Sequence, residues 1–187
     1  MATKSTSAKK STAKRPIAKR GAASQDVFAL LKADHEKVQG LFGRYRKTRS
    51  GDMKGKLARQ ICSELSVHAQ LEEEIFYPAV KAAIKQKALI DEATVEHKSA
   101  KDLIADIQGS QPGDELYDAK VNVLGEYVKH HIKEEQGQIF PAARKAGVDA
   151  KGLGAQLAER KKALASKTKP EPGNESTPPA PTYPFPT

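Results

Sequence analysis

One pattern constrains this chain above all others: four apolar stripes of helical period, each interrupted by a histidine, and two of them also by a glutamate one turn later. The first stripe is Phe28, Leu31, His35, Val38, Phe42 and Tyr45, with Ser24 and Asp26 available as N-caps. The second is Leu57, Ile61, Leu65, His68, Glu72, Ile75 and Ala79, and the third is Ile90, Ala93, His97, Ala100, Ile104 and Ile107. The fourth is Tyr117, Val121, Leu124, Val128, His131, Glu135, Gln138 and Ala142. Ser50-Gly51-Asp52 and the Gly/Pro-rich stretch 109–114 break the pattern, and Gly147 ends the fourth stripe. No strand-like alternation is long enough to matter. The expected fold is all-α, an up-down four-helix bundle over residues 24–165 with a short fifth helix over 149–164.

The stripes are two copies of one hairpin. His68 and Glu72 are four apart, as are His131 and Glu135, so each pair shares a helix face. Each histidine is followed ten residues later by proline, Pro78 and Pro141, after an Ile-Phe step. His35 precedes His68 by 33 residues and His97 precedes His131 by 34, and an acid, Asp34 or Glu96, stands before each of the earlier histidines. The two prolines remove a backbone donor, so a bend or a helix end is expected near them.

A lone histidine on an apolar face is ordinarily a satisfied core residue. A buried carboxylate without a partner is costly. Four histidines (His35, His68, His97, His131) and two glutamates (Glu72, Glu135) at matched positions on all four core faces need a shared partner, and a cation supplies it. The set lacks a thiolate, which excludes cysteine-type structural zinc. Imidazoles with carboxylates inside a bundle favour iron or manganese; the imidazole-rich balance tilts toward iron, with zinc and manganese as lesser options.

At these residues, over about 24–145, the sequence resembles the hemerythrin family, specifically its HHE cation-binding domain. The order His, His-x-x-x-Glu, His, His-x-x-x-Glu carries the resemblance, with Phe-Tyr-Pro or Ile-Phe-Pro after the glutamates. It implies a left-handed bundle holding two non-haem iron ions, oxo- or hydroxo-bridged, and chemistry with O2, peroxide or nitric oxide. It further implies that His35, His68, His97 and His131 are terminal ligands and that Glu72 and Glu135 bridge. One departure stands out. Oxygen-carrying hemerythrins have a fifth histidine four residues after the third; here that position is Lys101. Their second bridging carboxylate is an aspartate five residues after its histidine, whereas Glu135 comes four after His131. Fewer histidines leave exchangeable positions open, unless Glu36, Glu73, Glu134 or His130 closes one. An open centre suits oxidant chemistry, peroxide turnover included, or sensing, better than reversible O2 carriage.

The rest of the chain bounds the alternatives. The formal charge is +9, and seven Lys/Arg with no acid fall within residues 1–24, leaving about +2 for the remainder. Residues 1–23 read as a disordered basic tail and 166–187 as a disordered Pro-rich one. The basic residues between 4 and 20 suit non-specific phosphate contacts with nucleic acid. No run approaches the roughly 18 apolar residues of a membrane span. With one cysteine, Cys62, no internal disulfide forms, and Cys62 reads as a small buried hydrophobe. A cytoplasmic location is expected. Tyr45, Tyr77 and Tyr127 read as packing residues near the core. No nucleophile elbow, phosphate loop or Cys-x-x-Cys is present, so enzymatic activity rests wholly on the metal centre. The competing role is an iron- or oxygen-sensing regulator, or a DNA-associated protein, in which the metal is structural and the basic arm binds nucleic acid.

Overall fold

In the computed structural model, residues 26–167 are described, and all their regular structure is helical. The elements are α1 (Val27–Lys47), α2 (Gly51–Leu71), α3 (Tyr77–Ala83), α4 (Ala88–Gln108), α5 (Tyr117–Glu134), α6 (Phe140–Lys145) and α7 (Ala150–Lys167). A π-helical turn, Glu72–Phe76, joins α2 to α3, and a second, Glu135–Ile139, joins α5 to α6. The bundle's four rods are therefore α1, the composite 51–83, α4 and the composite 117–145. The expected four-helix architecture is the one found, and the fifth helix is α7, packed against α1, α2 and the first π turn.

Local chemistry sets the helix ends. The Asp26 side chain accepts from the Ala29 N–H at 2.8 Å, as an N-cap does, while Ser24 lies outside the described residues. Ser50 caps α2 in the same way, accepting from Met53 N–H at 3.4 Å. Gly147, at φ +74°, stops α6 where a residue with a Cβ would be strained. The two tails read from the sequence fall outside the described residues, apart from the last turn of α7.

Neither proline ends its rod. Each rod continues through its proline, which sits in the first turn of α3 or α6, where a missing N–H leaves no gap. The adjustment is made just before, by the π turn. There the N–H of Tyr77 reaches the carbonyl of Glu72, and that of Phe140 reaches Glu135, each a five-residue step. One extra residue per turn rotates everything beyond it. The second stripe therefore does not continue through Ile75 and Ala79, which are only half-buried; Phe76, Tyr77 and Val80 occupy the core instead. In the fourth, Gln138 is exposed and Ala142 half-buried, while Ile139, Phe140 and Ala143 are buried. Both halves slip by the same single residue, because both carry the same turn.

Two apolar clusters fill the bundle. One gathers Phe28, Leu31, Leu71, Phe76, Val80 and Phe140 with the inner face of α7. The other gathers Val38, Phe42, Ile61, Leu65, Ile104, Leu124 and Ile132. The histidines and glutamates form the layer between them. Cys62 lies buried in the second cluster, as expected, and burial pushes its thiol up to about 11. Tyr45 is also buried there, its hydroxyl donating to Asp118 at 2.6 Å. Tyr127 departs from expectation: it is half-exposed on the outer face of α5.

Rods α1 and α5 meet closely at Gly125, where a Cβ would stand 3.2 Å from the buried ring of Phe42. Gly125→Val is expected to lower unfolding free energy by about 1–3 kcal/mol, the range for overpacking a filled core. A urea midpoint equal to that of the parent chain would refute the close approach.

Candidate metal centre

All six residues singled out by the sequence are buried, and the two glutamates are fully inaccessible. They converge from four rods: His35 from α1, His68 and Glu72 from the second, His97 from α4, and His131 and Glu135 from the fourth. The Nε2 atoms of His35 and His68 lie 3.0 Å apart, and those of His97 and His131 lie 3.2 Å apart. Two donors about 2.1 Å from one ion, at right angles, stand about 3.0 Å apart. The spacing of each imidazole pair thus suits a shared cation.

Glu72 spans the two pairs. Its Oε1 is 3.2 Å from His68 Nε2 and its Oε2 is 3.2 Å from His97 Nε2. Glu135 stands on the His35 side, its Oε2 3.2 Å from His35 Nε2. The potential ligand atoms form two overlapping groups, His35, His68, Glu72 and Glu135 on one side and Glu72, His97 and His131 on the other. Glu72 has the position of a bridge, whereas Glu135 groups with the His35 pair.

Tyr77, read from the sequence as a packing residue near the core, stands on the His97 side with its hydroxyl among the inward-facing donors. Tyr77 Oη lies 3.3 Å from His97 Nε2, 3.4 Å from His131 Nε2 and 3.5 Å from Glu72 Oε2. The π turn brings it there, since a continuous 3.6-residue period from Glu72 would turn it away. At the matching position in the second hairpin stands Phe140, whose ring stacks on His35 at 6.3 Å between centroids and 13° between planes. The halves are thus chemically unequal: one has a carboxylate and a phenyl ring, the other a phenol.

The outward Nδ1 atoms are held by a second ring of polar groups. His131 Nδ1 meets Glu96 Oε2 at 2.8 Å, and His97 Nδ1 meets Glu73 Oε1 at 3.1 Å. The Gln136 amide lies 2.9 Å from His35 Nδ1. Such contacts fix the ring so that Nε2 faces inward. Asp34 Oδ2 stands 3.9 Å from His68 Nδ1, too far for a hydrogen bond, and Lys161 of α7 pairs with the other oxygen, Oδ1. Lys101 is no ligand: its ammonium grips both oxygens of Glu73 at 2.6 Å and so positions His97 indirectly. Of the other groups weighed as shell-closing, Glu36 is exposed beside Lys32, and His130 and Glu134 lie at the rim.

Electrostatics describe an interior that calls for positive charge. Both Glu135 oxygens, Glu72 Oε1 and His68 Nδ1 are buried and have no hydrogen-bond partner among the described residues. Burial and the neighbouring Glu72 charge push Glu135 well above the usual carboxylate range. Burial also opposes ionisation of Glu72, but the adjacent His68 and His97 outweigh it and hold Glu72 well below that range. Burial and the charge of His68 lower His35 to about 3. His68 moves up to about 9, burial notwithstanding, because Glu72 and Asp34 favour its charged form. Orphaned carboxylate oxygens facing paired imidazole nitrogens are what a bound cation satisfies, and the residues present fit one.

The Hemerythrin HHE cation-binding domain model matches residues 26–143. The chain belongs to that family. A solved hemerythrin HHE cation-binding domain-containing protein of Mycobacterium kansasii superposes with a TM-score of 0.66 at 22% identity, covering 76% of this chain and 88% of that one. A DNA nickase of Nostoc sp. is 28% identical over 120 residues, 64% of this chain; the match spans only 33% of that relative's length. Helix α7 lies beyond the family match, so Lys161, which pairs with Asp34, and Arg160, which pairs with Glu74, reach the matched region from outside it.

Two outcomes follow. Glu73→Ala is expected to weaken cation affinity about 10–100-fold while leaving helicity intact, as measured by chelator competition. Unaltered affinity would show that the Glu73 contact orients nothing. Loading with a divalent cation at pH 7 is expected to release a proton from His68, which its pKa of about 9 keeps charged before loading and which must be neutral to bind the ion. The His68 proton is bound below its raised pKa of about 9, so its release fades as loading is repeated above that pH. An indicator dye in weak buffer reads the release, and no release at pH 7 would contradict that protonation state.

Proposed function

We propose that this hemerythrin-family chain is a non-haem di-iron protein that reacts with small oxidants, hydrogen peroxide foremost. In this reading His35, His68 and Glu135 hold one ion, His97 and His131 hold the other, and Glu72 is shared. The observation that carries it is the position of Glu72, each oxygen 3.2 Å from a histidine of a different pair. Bound iron would supply the redox chemistry. The rest is the task of the chain.

A cavity of about 40 Å³ borders the imidazoles on the side of Val38, Leu65, Ile104 and Val128. A buried water needs about 10–15 Å³ by the same measure, so the space suits a ligand of two to four atoms. Its apolar walls keep bulk water away from the nitrogens, and Lys101 and Tyr127 stand among its lining residues. Among the described residues, Tyr77 supplies a hydroxyl within reach of the inward-facing donors, 3.3 Å from His97 Nε2. Burial and the charge of Glu72 push its pKa well above the ordinary phenol value, so Tyr77 keeps its proton at Oη and serves as a neutral hydrogen-bond donor.

The iron-loaded protein is expected to consume peroxide. Tyr77→Phe is expected to slow that turnover by about 10²-fold, the lower range for loss of one preorganised hydrogen-bond donor, without loss of bound iron. A reversible O2 complex with no peroxide consumption would overturn the enzyme reading in favour of a carrier.

A second reading is supported by the basic segment over 4–20 and by the similarity to a DNA nickase over a third of its length. Here the chain associates with DNA through phosphate contacts, and the bundle handles iron or oxidant nearby. Salt-sensitive DNA binding that disappears when residues 1–24 are deleted supports this reading; equal binding by both forms removes it.

A further inference from the structure

Among the described residues, one more group of metal-binding side chains is drawn together outside the buried centre. Glu96 of α4 and His130 and Glu134 of α5 place one donor atom each within 4.8 Å of one another. His130 Nε2 stands 3.4 Å from Glu134 Oε1 and 3.7 Å from Glu96 Oε1. The imidazole is 63% exposed, and the carboxylates 37% and 29%, so solvent reaches all three. One imidazole with two carboxylates suits the borderline divalent cations.

Two observations connect this triad to the interior. Glu96 is divided between the two places: while Oε1 faces His130, Oε2 accepts from His131 Nδ1 at 2.8 Å. Beside it runs a crevice lined by Glu92, Glu96 and Glu134 nearer the surface and by His131 and Glu135 at its buried end. Its free space is about 10 Å³, enough for a single water-sized species. Glu135 is fully inaccessible, and neither of its oxygens has a hydrogen-bond partner among the described residues. Acidic groups therefore lead from solvent to an unsatisfied carboxylate. The cavity toward the other half of the bundle is lined mainly by apolar side chains, with Glu96 and Lys101 also in its lining, so it offers an arriving cation few ligands on the way in.

We propose that Glu96, His130 and Glu134 form an uptake site for divalent cations, from which the ion moves along the acidic crevice to His131 and Glu135. The inference rests on the reading of the buried residues as a metal centre. It separates two routes: cations reach the centre past Glu134, and small neutral oxidants reach it through the apolar cavity. The triad is exposed enough to exchange its ion and shares Glu96 with the centre it feeds.

The test compares the full chain, stripped of metal with chelator, with its His130→Ala/Glu134→Gln variant. Cobalt(II) is the probe, its visible absorption followed by stopped flow and its final stoichiometry by titration. Neither substituted residue is placed in the buried centre, and equal helical circular dichroism checks the fold. The expected result is uptake slowed by at least about tenfold, the lower bound for electrostatic focusing in a charged cleft. The final occupancy of the buried centre stays the same, and a weaker, additional cobalt site is lost. Uptake by the variant at the parental rate, with the pair of ions still bound, overturns the uptake site while leaving the metal centre standing. A parent chain that binds no cobalt overturns both.

Discussion

The structure depends on one electrostatic demand: two carboxylates and four imidazoles sit in a layer between two apolar clusters, with water excluded. Such groups are tolerated in a low-dielectric interior only when their charges and lone pairs are answered. Protein atoms answer the outer half of the demand, through Glu73, Glu96 and Gln136 against the Nδ1 atoms. The inner half stays unanswered by the described residues, with three carboxylate oxygens lacking partners among them. The cation-binding character of the family follows from that imbalance. So does the register of the rods, because a one-residue rotation of any of them would remove a donor from the layer.

The π turns reconcile this layer with the apolar core below it. Each begins at a glutamate of the layer, Glu72 or Glu135, and adds one residue to the turn. Above the turn, the helix face is dictated by histidine and glutamate four apart; below it, by Phe76 and Val80 or by Ile139 and Ala143. A continuous α-helix would serve one set and misplace the other. The widened turn also delivers Tyr77 to the His97 side and Phe140 to the His35 side. A repeat that is nearly exact in its histidines thereby becomes a site with two unequal halves.

Lys101 illustrates how the absence of a ligand is absorbed. With a lysine at that position, the ammonium reaches outward to Glu73, and Glu73 in turn accepts from His97 Nδ1. The lysine stiffens a neighbour instead of joining the shell, and borders the apolar cavity as it does so. Helix α7 makes comparable contacts on the other face, where Lys161 pairs with Asp34 and Arg160 pairs with Glu74. The supporting shell thus differs from side to side more than the inner residues do.

The sequence by itself determined the helices, their pairing into two hairpins and the identity of the six inward residues. Those properties are written in spacing: His68 and Glu72 share a face because they are four apart, and the recurrence at His131 and Glu135 repeats the geometry. Only the tertiary structure decided the rest. A 3.6-residue period pointed to Ile75 and Gln138, and the single-residue slip that buries Phe76 and Ile139 instead is visible only once the backbone hydrogen bonds are placed. Tyr77, Gln136 and the Lys101–Glu73–His97 chain bring together residues up to 101 positions apart, so no local period reports them. Local spacing fixes which way a side chain faces along its own helix; which groups it meets there is set by the packing of one helix on another.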